Sequence, residues 1–284
     1  MRILISGHTG QVARELQLAL SEHELISLDR HAFDLAQPSS LRRTILREQP
    51  DLLINAAAHT AVDQAEQEQA LAFTINAEAP GVMAVACAEL GIPLIHYSTD
   101  YVFDGSKASP YSEDDTPNPL SVYGSSKLAG ERAIADSDCD HLILRTSWVY
   151  SRHGRNFLLT MQRLLQEREQ LNVVADQIGA PTWAGSIAGA TAELIDAWQQ
   201  GNRQWGTYHL TNRGETSWFG FAQAIGDRLR ASAKPCAKLQ PIPTSDYPTP
   251  ARRPLNSRLD CSKLERNWNV RLPEWQKALD ACLA

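Results

Sequence analysis

Two hydrophobic rhythms alternate through the first half of the chain. Short runs that are apolar at nearly every position recur: RILIS (2–6), ELISLD (24–29), DLLINAAA (51–58), IPLIHYSTD (92–100) and HLILRTSWVY (141–150). Such runs suit strands covered on both faces of a sheet. Between them, apolar residues fall at helical spacing, as in Val12, Leu16, Ala19 and Leu20, in LRRTILREQP up to Pro50, and in LAFTINAEAPGVMAVACAELG, where Gly91 is the expected C-cap. This alternation predicts an α/β fold, a doubly wound Rossmann-type parallel sheet with right-handed crossovers. After about Tyr150 the rhythm breaks. NFLLTMQRLLQ and AGSIAGATAELIDAW read as helices, NVVADQIGAPTW as a strand entering a turn, and the proline-rich stretch 241–260 as loop. GTYHLTN (206–212) reads as one more strand, returning to the main sheet. The expected division is a dinucleotide-binding domain over 1–150 and, over 151–284, mainly a smaller substrate-binding lobe that closes over the carboxyl ends of the strands.

Composition narrows the class. At 284 residues the chain can bury a substantial core, and 43% hydrophobic with 21% charged residues is ordinary for a globular protein. A net charge of −6 without a basic stripe argues against nucleic acid as a partner. No apolar run is read as approaching the roughly 18 residues of a membrane span, and no signal-peptide pattern precedes the first strand. The five cysteines form no C-x-x-C pair, which fits free thiols in the cytoplasm, and the eight histidines show no zinc-ligand spacing.

Candidate chemistry begins at GHTGQVA (7–13), between the first strand and its helix. Gly7 allows a tight turn, Gly10 lets the backbone approach a pyrophosphate at the helix N-terminus, and Ala13 is small enough for close helix–sheet packing. The spacing is looser than G-x-G-x-x-G. Asp29, ending the second strand, can accept a hydrogen bond from a ribose 2′-hydroxyl, while Arg30 and His31 can pair a 2′-phosphate, so NADH and NADPH both stay open. Small residues in AAAHT (56–60) would let a ribose lie against the backbone.

VYGSSKLAGE (122–131) sets Tyr123 four residues before Lys127, on one helix face. A phenol titrates near 10, and a neighbouring ammonium lowers that value. Thr99, at the carboxyl end of the fourth strand, adds a hydroxyl for a substrate oxygen. Together the three suit hydride transfer to a carbonyl, with Tyr123 supplying the proton.

Y-x-x-x-K, with Thr99 two dozen residues upstream and G-x-x-G-x-x-A at the start, resembles the extended short-chain dehydrogenase/reductase superfamily. More narrowly, GxTGQV, NAAAHTAVDxAE, HYSTDYVFDG, VYGSSKLAGE, RTSWVY and DQxGAPT, in this order, resemble the dTDP-4-dehydrorhamnose reductase family, densely to about residue 190 and more thinly to ARRPLNSRLD. The resemblance implies reduction of the 4-keto group of a dTDP-6-deoxy-hexulose, by NADPH or NADH, to dTDP-L-rhamnose for surface polysaccharide. It implies a catalytic set of Thr99, Tyr123 and Lys127, and sugar-nucleotide contacts from Thr99, Asp100 and Trp148. Asp34, Leu35, Ala57, Ala58, His59 and Thr60 would line the cofactor site with Gly7, Thr9, Gly10, Gln11, Val12 and Asp29. It allows a magnesium ion, with Glu15 as candidate ligand, and a homodimer; Arg252 and Arg253 are candidates for the diphosphate. Each also has a plainer reading: Trp148 as a core side chain, His59 as a turn residue, Glu15 and the arginine pair as solvated surface.

Three rivals stand against this. A dehydratase of the superfamily needs a Glu after the Asp, where this chain has Tyr101, and an epimerase–reductase needs further acid and base groups. A non-catalytic regulatory subunit of the same fold has no chemical need of Thr99, Tyr123 and Lys127 together.

Overall fold

The structure, a computed structural model, describes residues 1–284. The first half runs β1 (Arg2–Ser6), α1 (Gln11–Ala19), β2 (Glu24–Leu28), α2 (Pro38–Glu48), β3 (Leu52–Asn55), α3 (Val62–Ala65), α4 (Gln69–Phe73), α5 (Ala79–Leu90), β4 (Leu94–Thr99), α6 (Val122–Ala135) and β5 (His141–Thr146). Then come β6 (Val149–Tyr150), α7 (Phe157–Glu167), β7 (Gln170–Val174), β8 (Ile178–Gly179), β9 (Thr182–Trp183), α8 (Ala184–Gln199) and β10 (Gly206–His209). The chain closes with β11 (Thr216–Ser217), α9 (Trp218–Ala231), β12 (Lys238–Ile242), α10 (Ser262–Trp268) and α11 (Trp275–Leu283).

Six strands form one parallel sheet in the order β2-β1-β3-β4-β5-β10. Alternate residues of each strand enter opposite cores, which is why the strands are apolar throughout. Ile3, Ile5, Leu52, Ile54, Ile95, Leu142 and Leu144 pack under α1 and α8. Leu4, Leu53, Leu94 and Ile143 pack under α2 and α5. The connection leaving β1 runs to β2 at one edge and that leaving β3 runs the other way to β4, so a crevice opens between the carboxyl ends of β1 and β3. The chain after residue 150 serves both bodies. α8, β10 and residues 264–272 complete the first core, and Gly206–His209 pairs with β5. α7, α9 and α11 form a separate lobe around Tyr150, Leu158, Phe221, Trp275 and Leu279.

Two expectations are corrected. The run 141–150 is not one strand: it breaks at Trp148, whose φ of 48° lies in the left-handed region that a bulky side chain rarely enters. The helix from Gln69 to Leu90 is, at 22 residues, long and apolar enough by composition to cross a membrane. Here it packs between α2 and α6, with Asn76 buried in its middle. Its central turn, Thr74–Glu78, is π-helical.

Candidate active site

The glycine turn builds the first wall of the crevice. Gly7 takes φ +82°, and a Cβ there would press on the Ala57 Cβ at 3.1 Å and the Ala56 oxygen at 3.2 Å. Gly10 donates its N–H to the Gly7 oxygen at 2.7 Å and caps α1 without a side-chain bond. The first N–H groups of α1 are therefore left for an anion, at the positive end of the helix dipole.

The crevice has a volume of about 500 Å³ and is lined by Gly7, Thr9, Gly10, Gln11 and Val12 on one side. Ala57, Ala58, Thr60, Tyr123 and Lys127 line the other. A smaller recess of about 210 Å³ continues past Gly7 to Asp29, Asp34 and Leu35, with Arg30 at its rim. Asp29 turns one oxygen to the N–H groups of His31 and Ala32, both at 3.0 Å, and the Ala32 bond leads in holding this carboxyl below its usual range. Its second oxygen makes no bond within the chain. Arg30 stays 77% exposed and reaches Asp34 at 3.5 Å.

α6 sets Tyr123 and Lys127 in place. Ser121 caps its N-terminus by accepting from the Gly124 N–H, and Glu66 of the following segment after α3 accepts from the Val122 N–H at 2.8 Å. At Gly124 a Cβ would overlap the Tyr101 carbonyl, so only glycine lets the helix approach this closely. Tyr123 packs edge-on to Tyr101 at 5.5 Å. Burial pushes its phenol up to about 12, the Thr99 hydroxyl pulling the other way and Asp100 adding to the push. Lys127 is 2% exposed. Its amine donates to the Tyr97 carbonyl at 2.6 Å and lies 3.0 Å from His96 Nε2. Burial lowers it to about 8, against the pull of Glu131. The expectation that Lys127 lowers the phenol is thus not met among the protein's own groups, because desolvation dominates and the amine is engaged with β4.

Thr99 is buried; its hydroxyl donates to Asp100 at 3.1 Å and accepts from the Tyr101 N–H. Burial raises Asp100 to about 6, with the Ser257 and Thr99 hydroxyls opposing. Trp148 lies against the lobe, stacked on Trp218 at 3.7 Å, and a Cβ at Gly179 would stand 2.7 Å from its ring. His59 does not line the crevice. Its ring turns to Glu68 at 3.1 Å and its backbone is held by Asn76. Arg253 forks onto Asp63 at 2.8 and 3.1 Å, tying the 241–260 loop to α3 rather than standing free for a diphosphate, while Arg252 is exposed. Glu15 lies beside Cys282, and no group of three or more His, Cys, Asp or Glu side chains is assembled to hold a metal ion.

Sequence reasoning missed several lining residues. The Ser98 and Thr146 hydroxyls are buried without partners at the carboxyl ends of β4 and β5, a position that strand ends alone could have flagged. Val149 of β6, and Gly154 and Arg155 of the loop after it, also line the crevice, where no local pattern points to them.

Known proteins resemble this chain over its whole length. A family model described as the RmlD substrate binding domain matches residues 1–284. A dTDP-4-dehydrorhamnose reductase of Burkholderia thailandensis is 48% identical, over 100% of this chain and 98% of its own. Its counterpart in Escherichia coli (strain K12) is 46% identical over 97% and 95%. Among solved structures, a dTDP-4-dehydrorhamnose reductase from Bacillus anthracis in complex with NADP superimposes with a TM-score of 0.92 at 35% identity, over 99% of this chain and 98% of that one. Matched along its entire length by the family model, the chain belongs to the RmlD substrate binding domain family.

Proposed function

We propose that this protein is an NAD(P)H-dependent reductase of a nucleotide sugar, converting dTDP-4-dehydrorhamnose to dTDP-L-rhamnose for surface polysaccharide. The observation that carries the reading is the convergence, in one crevice, of an uncapped helix N-terminus behind a Cβ-free turn and a buried Tyr123–Lys127 pair. The first feature fits a dinucleotide diphosphate, and the second fits carbonyl chemistry. When bound, the dihydronicotinamide supplies the hydride that adds to the sugar's C4. Tyr123 gives its phenolic proton to the C4 oxygen, leaving phenolate. A phenol held near 12 remains protonated until it is needed, and it still donates downhill to an oxygen acquiring alkoxide character. Thr99 orients that oxygen. Lys127, in its charged form, stabilises the phenolate left behind and holds the ribose hydroxyls.

At the adenosine end, the spare oxygen of Asp29 suits a 2′-hydroxyl and the exposed Arg30 suits a 2′-phosphate, supporting use of both cofactors. The test follows cofactor oxidation by absorbance, with the ketosugar generated in situ and NADH and NADPH run side by side. Tyr123→Phe should lose turnover by about 10²–10⁴-fold while still binding cofactor. Unchanged turnover would remove Tyr123 from the acid role, and with it this reading of the site.

A further inference from the structure

A line of buried polar side chains runs from β1 across β3 and β4 to Lys127, and its hydrogen bonds admit one direction. Ser6 Oγ accepts from the Ala56 and Ala57 N–H groups at 3.1 and 3.2 Å and lies 2.6 Å from Asn55 Oδ1. Both of its lone pairs are taken, so its single proton goes to Asn55. That fixes the Asn55 amide with oxygen toward Ser6 and Nδ2 toward His96 Nδ1, 3.0 Å away. An amide nitrogen only donates, so Nδ1 must accept. The neutral ring then carries its proton on Nε2, which faces Lys127 Nζ at 3.0 Å. His96 is fully buried, and burial leads in pushing it well below its ordinary range, so it is neutral. An N–H directed at Nζ needs a lone pair there, and an ammonium has none.

We infer that His96 is a positioning residue for the proposed chemistry: a hydrogen-bond donor fixed by Ser6 and Asn55 that favours the uncharged Lys127 amine and so sets the pH at which that amine takes its proton. Charging Lys127 requires His96 to move its proton to Nδ1, which Asn55 opposes. The groups around the pair do not undo this. From β4, the Tyr97 carbonyl accepts from the amine; on α6 itself, Tyr123 is a neutral phenol, and Glu131, bonded to Arg145, pulls the amine toward its charged form by less than burial pushes it back. His141, on β5, acts on the His96 ring in the direction that keeps it neutral. Desolvation of Lys127 works in the same direction as the wiring.

The functional consequence rests on the role given to Lys127 above; the tautomer does not. The first measurement is two-bond ¹⁵N–¹H correlation on the full chain with labelled histidine at pH 8.5. A neutral His96 with its proton on Nε2 is expected, and a proton on Nδ1, or on both nitrogens, would overturn the inference. The second is turnover against pH in two variants. Asn55→Asp turns the donor into an acceptor, so His96 should shift to its Nδ1–H form and the basic limb of turnover should rise by about one pH unit or more. Because the new carboxylate also adds charge, Ser6→Ala serves as the neutral counterpart: it frees the Asn55 amide to flip and should move the limb upward by less. A basic limb that stays in place in folded Ser6→Ala and Asn55→Asp proteins would refute the coupling. Failure of the catalytic reading would appear separately, as turnover that survives Tyr123→Phe with the His96 tautomer unchanged.

Discussion

Two regions approach Asp100, the carboxyl ends of β4 and β5 and the loop spanning 241–260, and they are secured by different physics. On the sheet, the side chains behind the site are buried and their charges are paired within the protein. Arg145 gives Glu131 bonds of 2.9 and 2.6 Å, packs over Phe103 at 5.2 Å, and is shut away from water with its partner. The loop is held by hydrogen bonds to its neighbours, Asn256 donating to the Lys107 and Ser109 carbonyls and the Ser257 N–H to that of Ile178, and its one ion pair to α3, the Arg253–Asp63 fork, is half-exposed; Trp148 and Trp218 stack where the lobe meets the sheet. Buried pairs are costly to break because the remaining charge stays uncompensated, whereas exposed pairs exchange readily with water. The comparison teaches that Tyr123 and Lys127 sit on the side whose ion pair is buried, while the loop reaching Asp100 carries an ion pair open to water.

Breaking the buried pair should produce the largest effect. Glu131→Ala leaves Arg145 buried without its carboxylate and should cost ~3–5 kcal/mol of stability in urea unfolding. A loss below about 1 kcal/mol, the scale of an exposed pair, would erase the distinction between the two regions.

Asp100 sharpens it from the opposite sign. Its folded value of about 6 lies above the ordinary carboxylate value of about 3.9. The folded protein therefore binds the extra proton more tightly than the unfolded chain. The associated stability is present below about pH 4 and is lost as pH rises through 6. Asp100→Asn, which cannot ionise, should then be more stable than the parent by on the order of 2–3 kcal/mol at pH 8 and nearly equal to it at pH 4. A constant difference across that range would show that burial of the charge is not what strains this position. The site would in that case be keeping no destabilised carboxylate for its substrate.

At the seam between the regions, Trp218→Ala removes the ring that holds Trp148. Stacked aromatic pairs contribute ~0.5–1.5 kcal/mol beyond their buried area. The expected result is a several-fold rise in KM for the nucleotide sugar with cofactor binding unchanged. An equal loss of cofactor affinity would mean that the stack supports the whole crevice rather than its lobe side.

How much of this was readable in the sequence follows the same division. β1, β3, β4 and β5 announced themselves because each is buried on both faces, β2 at the sheet edge because it stays apolar though only partly buried, and Tyr123 and Lys127 because helical spacing is local. The turn at Gly7 could be read from its neighbours alone. The lobe's strands β6, β8, β9 and β11 are two residues each and exist only through distant partners, such as Thr216 with Gly179. No local pattern encodes them. Trp148 was read as part of a continuous strand because propensity cannot show that Gly179 yields space for its ring and that the backbone turns left-handed to reach it. Lys127 was expected to act on the phenol. Its engagement with Tyr97 and His96 depends on how α6 is seated on β4, which the helix sequence does not contain.

The smallest expected effect is the most discriminating for the loop side. Arg253 and Asp63 are 23% and 40% exposed, and the fork also receives the Ala251 N–H, so it joins the loop to α3 at a single point. Arg253→Ala should cost no more than ~1 kcal/mol in global unfolding, since water replaces most of what the pair supplied. Its effect on catalysis should be concentrated in KM for the nucleotide sugar, because the loop that carries Ser257 to Asp100 would be closed less of the time. Asp63→Asn should behave alike, and the double variant should add little to either single change, as expected for two residues acting through one link. Additive losses would mean that Arg253 has a second partner in the working enzyme, and the substrate's diphosphate would then return as the group it serves.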